Sequence, residues 1–210
     1  MMQNVFSTSY FPNIEYLQKI VHFSKLHIEN HEFYQRHSYR NKTKILGSNG
    51  TIFLTVPIRK NKSKTIINQT QISDQNWQKK HLKSIQSAYG SSPFFIYYYS
   101  EIEQIINQKH NYLIELNTLI LEYINNTLNL NLTIYPTEEY KDTAHYKDQD
   151  FRFDNLKSNT KTKIVPYQQV IFKNSHKIKE IDFYPNLSFL DLLFNLGPNT
   201  HKYLHDLQIK

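Results

Sequence analysis

The spacing of apolar residues changes near residue 76, and this change constrains the fold more than any other feature of the chain. Before residue 76, short β-rich runs dominate, and residues 26–30 alternate apolar and polar side chains as a half-buried strand does. After it, apolar residues recur every three or four positions, as on one face of a helix. Most predicted strands therefore precede residue 76 and most predicted helices follow it, an order typical of the α+β class.

The pattern places each element within a few residues. The predicted strands lie at residues 2–10, 26–30, 43–46, 51–58, 66–72, 132–135 and 164–172. The predicted helices lie at residues 13–25, 76–89, 92–107, 111–129 and 188–196. Asn49-Gly50 supplies the positive φ that a tight hairpin turn needs. Pro166 restricts the last strand to an edge or a bulge, and Ser188 with Asp191 predicts a capping box at the last helix.

No internal repeat and no linker-like composition divides the 210 residues. We therefore predict one domain, residues 1–210. In this domain a mixed sheet from the N-terminal third plus one C-terminal edge strand packs against helices from the middle and the C-terminus.

Four glycines and the absence of cysteine exclude several classes of protein. The four glycines cannot complete the G-x-G-x-x-G turn of a dinucleotide-binding site or a P-loop turn, and both turns need backbone without Cβ atoms against a phosphate. Without cysteine the chain has no disulfide, thiolate nucleophile or thiolate-ligated metal. His201 and His205 are one helical turn apart but lack an evident third ligand, so we predict no metal site, and no cofactor is identified.

No segment approaches the roughly 20 apolar residues that cross a bilayer. The first ten residues also lack the basic and apolar regions of a signal peptide. We therefore expect a cytoplasmic protein without a membrane span.

Positive charge is concentrated in the first third of the chain. Residues 1–73 hold ten Lys and Arg against three Asp and Glu, whereas the rest holds fifteen of each. No acidic residue occurs between Glu32 and Asp74, an interval with eight basic residues. Such an asymmetry attracts anions, although lysines on a hairpin also protect an edge strand from aggregation.

Three of the four arginines, Arg36, Arg40 and Arg59, fall in this interval. Arginine binds phosphate or carboxylate through two parallel hydrogen bonds. Arg36 and Arg40 share a side whether their segment is helical or extended, so both could reach one anion. The alternative is that they pair with Glu29, Glu32 or another carboxylate. On the anion-binding hypothesis, Arg40→Ala weakens ligand binding and leaves the melting temperature nearly unchanged.

Two histidines and a glutamate are the candidate catalytic residues. His31 and Glu32 directly follow a predicted strand, and a histidine exchanges protons near neutral pH. Adjacent residues of an extended chain point in opposite directions, so His31 needs a different partner, such as Tyr39 or Asp150. His81 lies on the apolar face of a predicted helix, where a hydrogen-bonded core histidine is the alternative to an acid or base.

Other side chains suit ligand binding or a structural role. Arg152 is either an anion-binding residue or a brace that closes on a loop carboxylate. Four tyrosines have flat apolar rings with hydroxyl tips, suited to stacking on a sugar or a base: Tyr34, Tyr39, Tyr89 and Tyr167. Because the chain has 16 tyrosines, chance placement is the alternative.

Several motifs occur in order along the chain. Residues 31–42 are similar to the box H-E-x-Y-x-[KR]-x-x-Y-R-N-R, which ends here with Asn41 and a lysine, Lys42, in place of the last arginine. Residues 9–16 resemble the opening Y-[LF]-P-x-[IL]-x-Y. Further matches are residues 55–57, Trp77 with His81, and residues 87–95, 150–152, 167–170 and 185–198. Together these motifs resemble the WbqC-like family.

The resemblance implies a cytoplasmic bacterial protein, and some members are encoded with genes for O-antigen and other surface polysaccharides. A glycine-transfer role has been suggested for the family. We therefore predict a transferase-type enzyme that acts on an activated anionic precursor, a nucleotide sugar or an acyl donor, with glycine or aminoacyl transfer as its reaction. The alternatives are a module that binds nucleic acid or another polyanion, and a non-enzymatic scaffold of a glycan-assembly complex.

Overall fold

Most described strands precede residue 76 and most described helices follow it, as the change in apolar spacing predicts. The computed structural model describes residues 3–60, 63–73, 76–153, 164–170 and 183–207. In these ranges the strands are β1 (Val5–Ser7), β2 (Lys25–Glu29), β3 (Lys42–Gly47), β4 (Gly50–Thr55) and β5 (Thr133–Pro136). The helices are α1 (Ile14–Ile20), α2 (Trp77–Tyr89), α3 (Phe95–Asn107), α4 (Leu113–Thr127), α5 (Thr143–Tyr146), α6 (Phe189–Leu196) and α7 (Thr200–Asp206).

Three strands form a parallel sheet in the order β1, β2, β5. Val5 lies opposite His27, and Lys25 lies opposite Thr133. Helix α1 connects the first two strands, because parallel neighbours need a crossover rather than a tight turn. Since the strands are parallel, their carboxyl ends meet at one edge of the sheet.

Strands β3 and β4 form a separate antiparallel hairpin. Gly47 lies opposite Gly50, whose φ of +113° provides the turn that Asn49-Gly50 predicts. The hairpin buries Thr43, Ile45 and Leu54, and α2 packs against β3.

The prediction of an α+β fold is confirmed, but the arrangement of its strands differs from the predicted mixed sheet. In the described residues the hairpin strands pair only with each other, so a parallel sheet and a hairpin replace one mixed sheet. The predicted strand 66–72 is a short 3₁₀ turn, Ile67–Gln69, flanked by isolated bridges. Among the described residues, these bridges do not extend into a ladder.

The predicted C-terminal edge strand is also absent from the described part of its range, residues 164–170. Pro166 has no N–H to donate, and the side chains of Tyr167 and Gln169 bond to Asp191 of α6 instead of continuing a ladder. Residues 171 and 172 of that predicted strand lie outside the described residues.

The core is built from the apolar stripes of the helices. Leu113, Leu116, Ile120 and Ile124 of α4 are fully buried at helical spacing, as predicted. Helix α6 is buried on almost every side. One continuous apolar cluster joins these helices to both sheets in the described residues. The organisation of residues 1–210 as one domain stays a prediction. Each described helix is too short or too polar to span a bilayer.

Candidate anion-binding site

A recess with a volume of about 780 Å³ opens beside the hairpin, between the loop of residues 31–41 and the chain that follows β4. Its size is in the range of sites for small molecules, about 300 to 1,000 Å³. We call it the basic recess. Its cationic lining residues are Arg36, Lys42, Arg59, Lys60 and Lys64.

Backbone hydrogen bonds hold the walls of the basic recess together. The N–H of Tyr34 donates to the carbonyl of Thr65 at 2.9 Å, and the N–H of Val56 donates to the carbonyl of Asn41 at 2.7 Å. The side-chain amide of Asn41 donates to the Val56 carbonyl at 2.8 Å. Asn41, predicted as an anion-binding residue, therefore uses its amide N–H to fix the wall.

The charge on the basic recess has no acidic compensation among the described lining residues. The sequence explains this, because no Asp or Glu occurs between Glu32 and Asp74. Arg59 donates a hydrogen bond of 2.9 Å to the side-chain oxygen of Gln71, a neutral partner, and the described part of the recess lining offers it no carboxylate. Like charges around one concavity add their potentials, so the recess attracts anions.

His37 also lines the basic recess. Its φ is +61°, in the left-handed region that non-glycine residues seldom adopt. His37 is exposed and is therefore accessible to a ligand.

Arg36 and Arg40, predicted to reach one anion, are separated. Arg36 is exposed and lines the recess, whereas Arg40 is 2% exposed and is not among the lining residues. The Arg40 guanidinium donates from Nε to Glu32 Oε1 at 2.8 Å, and from Nη2 to Glu32 Oε2 and to Ser7 Oγ. The reason is local: residues 31–41 form turns, so a four-residue spacing does not place two side chains on one side.

Arg152 is a brace at the carboxyl end of β2. It is fully buried, and its guanidinium donates to Glu29 at 2.7 Å and to both oxygens of Asp150 at 2.9 and 2.6 Å. The rings of Tyr140 and Tyr146 lie about 5 Å from it. Burial alone would raise the pKa of Asp150, but the hydrogen bonds and charge of Arg152 outweigh burial and lower it. Full burial and four hydrogen bonds within the protein keep this guanidinium away from a ligand in solvent.

His81 is a core histidine. Its Nε2 lies 3.2 Å from the carbonyl oxygen of Thr55, and its Nδ1 lies 2.9 Å from the hydroxyl of Tyr10. Since a carbonyl only accepts, Nε2 carries the proton and Nδ1 accepts from Tyr10. Burial lowers the pKa of His81 to about 4, although the bond to Thr55 acts in the opposite direction. The imidazole is therefore neutral at physiological pH.

His31 and Glu32 lie at the carboxyl edge of the parallel sheet rather than on the wall of the recess. The ring Nε2 of His31 is 3.1 Å from the carbonyl oxygen of Thr137, and the His31 N–H donates to Glu29 at 2.8 Å. The partners of His31 are therefore Thr137 and Glu29 rather than the expected Tyr39 or Asp150. Glu32 is 4% exposed and paired with Arg40.

Of the four candidate stacking tyrosines, Tyr34 lines the basic recess. Tyr39 is 7% exposed and lies below Lys42, whose ammonium is 5.9 Å from the ring centroid. Tyr89 is buried in the core, and the Tyr167 hydroxyl donates to Asp191. The structure therefore disperses the four rings.

Asp191 occupies the position predicted to complete a capping box, but it forms other bonds. Ser188 does accept a hydrogen bond from the N–H of Leu190 at 3.3 Å. The Asp191 carboxylate instead accepts from Tyr167 and, at 2.9 Å, from Gln169. Burial raises the pKa of Asp191 to about 6 in spite of these hydrogen bonds.

His37, Lys60 and Lys64 carry no individual signal in the sequence, and Arg59 is marked only as one of three arginines in the basic interval. The one signal that covers all four is the interval free of acidic residues. The folded loops add what the sequence does not show, namely that these residues lie around one opening.

Residues 8–163 match the sequence profile of the WbqC-like protein family, which is 156 of the 210 residues. The chain belongs to this family. The matched region contains the whole basic recess and the Arg152 brace. No curated protein and no solved structure matches the chain.

Proposed function

We propose that the chain binds an activated, anionic small molecule in the basic recess and transfers a group from it. One observation carries the proposal: five cationic side chains line one concave opening, and the described lining contains no acidic residue. Cations brought close together repel one another, so an anion that enters the recess relieves this repulsion. The volume of about 780 Å³ suits a small molecule.

The lining residues divide the work of binding by their chemistry. Arg36 and Arg59 offer planar guanidinium groups that bind phosphate or carboxylate oxygens in pairs. Lys60 and Lys64 act as mobile point charges. Pro57, Ile58 and the ring of Tyr34 give apolar contact to the uncharged part of the ligand.

In the transfer step, His37 is the proton acceptor that the recess offers. An amine or hydroxyl of the acceptor molecule forms a bond to the transferred group, and its proton passes to His37. The bond to the leaving group breaks, and the leaving group departs as an anion with the electron pair. The cations of the recess stabilise that negative charge as it develops. In this scheme His31, Glu32 and His81 support the fold.

The family supplies the finer part of the proposal. The precursor would be a nucleotide sugar or an acyl donor, and the reaction would be glycine or aminoacyl transfer in the synthesis of bacterial surface polysaccharide. The cytoplasmic location is a prediction of the same kind. The geometry supports the anion-binding part of this proposal, through the charge and size of the recess.

A thermal-shift screen tests the proposal. The panel contains nucleotide sugars, acyl donors, amino acids and short oligonucleotides, each with the wild-type protein and with Arg36→Ala. A ligand at 100 times its Kd adds about 2.7 kcal/mol to the unfolding free energy. We expect an anionic small molecule to stabilise the wild type and to have less effect on the variant. A panel in which nothing stabilises the protein would overturn the proposal and favour the scaffold.

A second candidate function, binding of single-stranded nucleic acid, is favoured by two exposed rings beside the recess. Phe33 is 56% exposed and Phe53 is 53% exposed, and each has a lysine ammonium near its face. Salt separates the two functions. A strand whose phosphates contact five cations would lose affinity with a slope of about −3.5 in log Kobs against log[salt], since each contact contributes about −0.7. A pocket for one small anion responds less steeply.

A further inference from the structure

Two phenylalanine rings border the basic recess in solvent. The ammonium of Lys42 lies 4.6 Å from the ring centroid of Phe53, and that of Lys64 lies 5.9 Å from the ring centroid of Phe33. Both lysines also line the recess. Each exposed ring is thus linked to the cationic wall through one shared side chain.

Phe53 belongs to the same face of the hairpin as the wall of the recess. In β4 the side chains of Phe53 and Thr55 point to one side and that of Leu54 to the buried side. Thr55 lines the recess and lies opposite Lys42, and Phe53 lies opposite Lys44. The Phe53 ring is therefore one strand repeat, about 7 Å, from the wall.

We infer that Phe53 and Lys42 form a subsite for a planar ring, and that the anion in the basic recess is a nucleoside diphosphate whose base stacks on Phe53. This inference rests on the proposed function. The number of cations favours a diphosphate over a single phosphate, because five positive side chains exceed what one phosphate neutralises. The exposed ring beside them favours a ligand with its own flat π surface.

Lys42 changes its partner when the ligand binds. In the free protein its ammonium covers the Phe53 ring, an exposed cation–π contact of modest strength. When the base takes the ring face, Lys42 is released to pair with a phosphate oxygen. The exchange replaces one weak contact with a stacked ring and a charge-assisted hydrogen bond, both of which are stronger.

Phe33 provides a matched comparison. It is as exposed as Phe53, but its lysine is 1.3 Å further from the ring centroid. Its backbone lies in an isolated bridge with Ile66 rather than in a regular strand. Phe53, which lies in a regular strand of the hairpin, is the ring that we assign to the base.

Isothermal titration with three probes tests this subsite: inorganic pyrophosphate, adenosine 5′-diphosphate and adenosine. The proteins are the wild type, Phe53→Leu, Phe53→Tyr as the conservative variant and Phe33→Leu as the matched control. We expect the wild type to bind adenosine 5′-diphosphate about tenfold more tightly than pyrophosphate, which is the effect of one stacked base. Phe53→Leu should abolish this difference, because the base loses the ring on which it stacks, while Phe53→Tyr and Phe33→Leu retain it.

The other outcomes are distinct. If pyrophosphate binds but the base adds no affinity, or if Phe33→Leu rather than Phe53→Leu removes the gain, the subsite is overturned and the anion-binding proposal stands. If neither anion binds, the proposed function itself fails. If a short oligonucleotide binds far more tightly than the diphosphate, with a steep salt slope that Phe53→Leu reduces, the ligand is a nucleic acid and the inference is overturned. Thermal unfolding of each variant confirms that an exposed position has been changed without loss of the fold.

Discussion

Arg40 and Glu32 form a buried ion pair with two parallel hydrogen bonds, one from Nε to Oε1 at 2.8 Å and one from Nη2 to Oε2. A third bond, from Nη2 to Ser7 Oγ at 2.8 Å, attaches the pair to the end of β1. The pair removes from solvent the arginine that the sequence marks as an anion-binding residue. Arg36, four residues earlier, remains exposed on the wall of the basic recess.

Replacing Arg40 by Ala should therefore destabilise the protein, which is the reverse of the expectation drawn from its sequence position. The change leaves the Glu32 carboxylate buried without a partner, at a cost of about 3 to 5 kcal/mol in unfolding free energy. Urea denaturation measures the loss, and Arg36→Ala is the matched control, with an expected change below about 0.5 kcal/mol. Equal stability of Arg40→Ala and the wild type would contradict the importance of the pair.

Arg152→Lys should destabilise the protein strongly, although it keeps the positive charge. The guanidinium donates to Glu29, to both oxygens of Asp150 and to the carbonyl of Lys141, and an ammonium cannot reach this set from one point. We expect a loss of about 3 kcal/mol in unfolding free energy, measured in urea. Arg59→Lys, at an exposed position, is the control and should leave the unfolding free energy unchanged. If Arg152→Lys also leaves it unchanged, the brace does not stabilise the protein.

His81 should make the protein less stable in acid. Its pKa is about 4 when folded and 6.5 when unfolded, so only the unfolded chain takes up this proton at intermediate pH. The stabilisation that the neutral His81 provides is fully present above pH 6.5 and is lost as pH falls through 4. It amounts to about 3 kcal/mol in unfolding free energy. His81→Gln should lack this dependence when unfolding free energies at pH 7.5 and 4 are compared. A variant with the same pH dependence as the wild type would show that another group is responsible.

Asp191 should make the protein more stable in acid, the opposite of the effect of His81. Its pKa is 3.8 when unfolded and about 6 when folded, so the folded protein retains a proton that the unfolded chain has lost. Its contribution is complete below pH 3.8 and is lost as pH rises through 6, in total about 3 kcal/mol. Relative to the wild type, Asp191→Asn should gain stability by this amount between pH 3.8 and 7.5. A difference between the two proteins that is constant with pH would rule out a buried, titrating Asp191.

The helices and the hairpin could be predicted because their signals are local. The apolar stripe of α4, from Leu113 to Ile124, specifies one buried face whatever it packs against. Asn49-Gly50 specifies a turn for the same reason, since the positive φ of Gly50 depends on its own backbone.

Pairing between distant segments could not be predicted in the same way. The β-rich run from Ile66 to Ile72 makes only isolated bridges, because a strand needs a partner that the run itself does not encode. Residues 164–170 bond to α6 through Tyr167 and Gln169, a choice set by the position of Asp191 in the fold. Such contacts come from tertiary structure rather than from propensity.

The candidate site likewise has one feature that the sequence predicts and others that depend on the fold. The absence of acidic residues between Glu32 and Asp74 predicts the sign of the charge and the part of the chain that carries it. It does not distinguish Arg36 from Arg40, because the difference depends on which of them reaches Glu32 and Ser7. His37 gives no signal in the sequence beyond its type, since its left-handed backbone is a property of the folded loop.

Titration of the protein with inorganic pyrophosphate tests the central claim most directly. The proteins are the wild type, the double variant Arg36→Ala with Arg59→Ala, and a control of equal charge change, Lys79→Ala with Lys80→Ala on the exposed side of α2. If the basic recess binds anions, the double arginine variant should lose at least tenfold in affinity, since each charge-assisted hydrogen bond contributes about 1.5 to 3 kcal/mol. The lysine control should bind like the wild type. Equal affinity of all three proteins, or equal weakening by both double variants, would contradict the claim that the recess is the binding site.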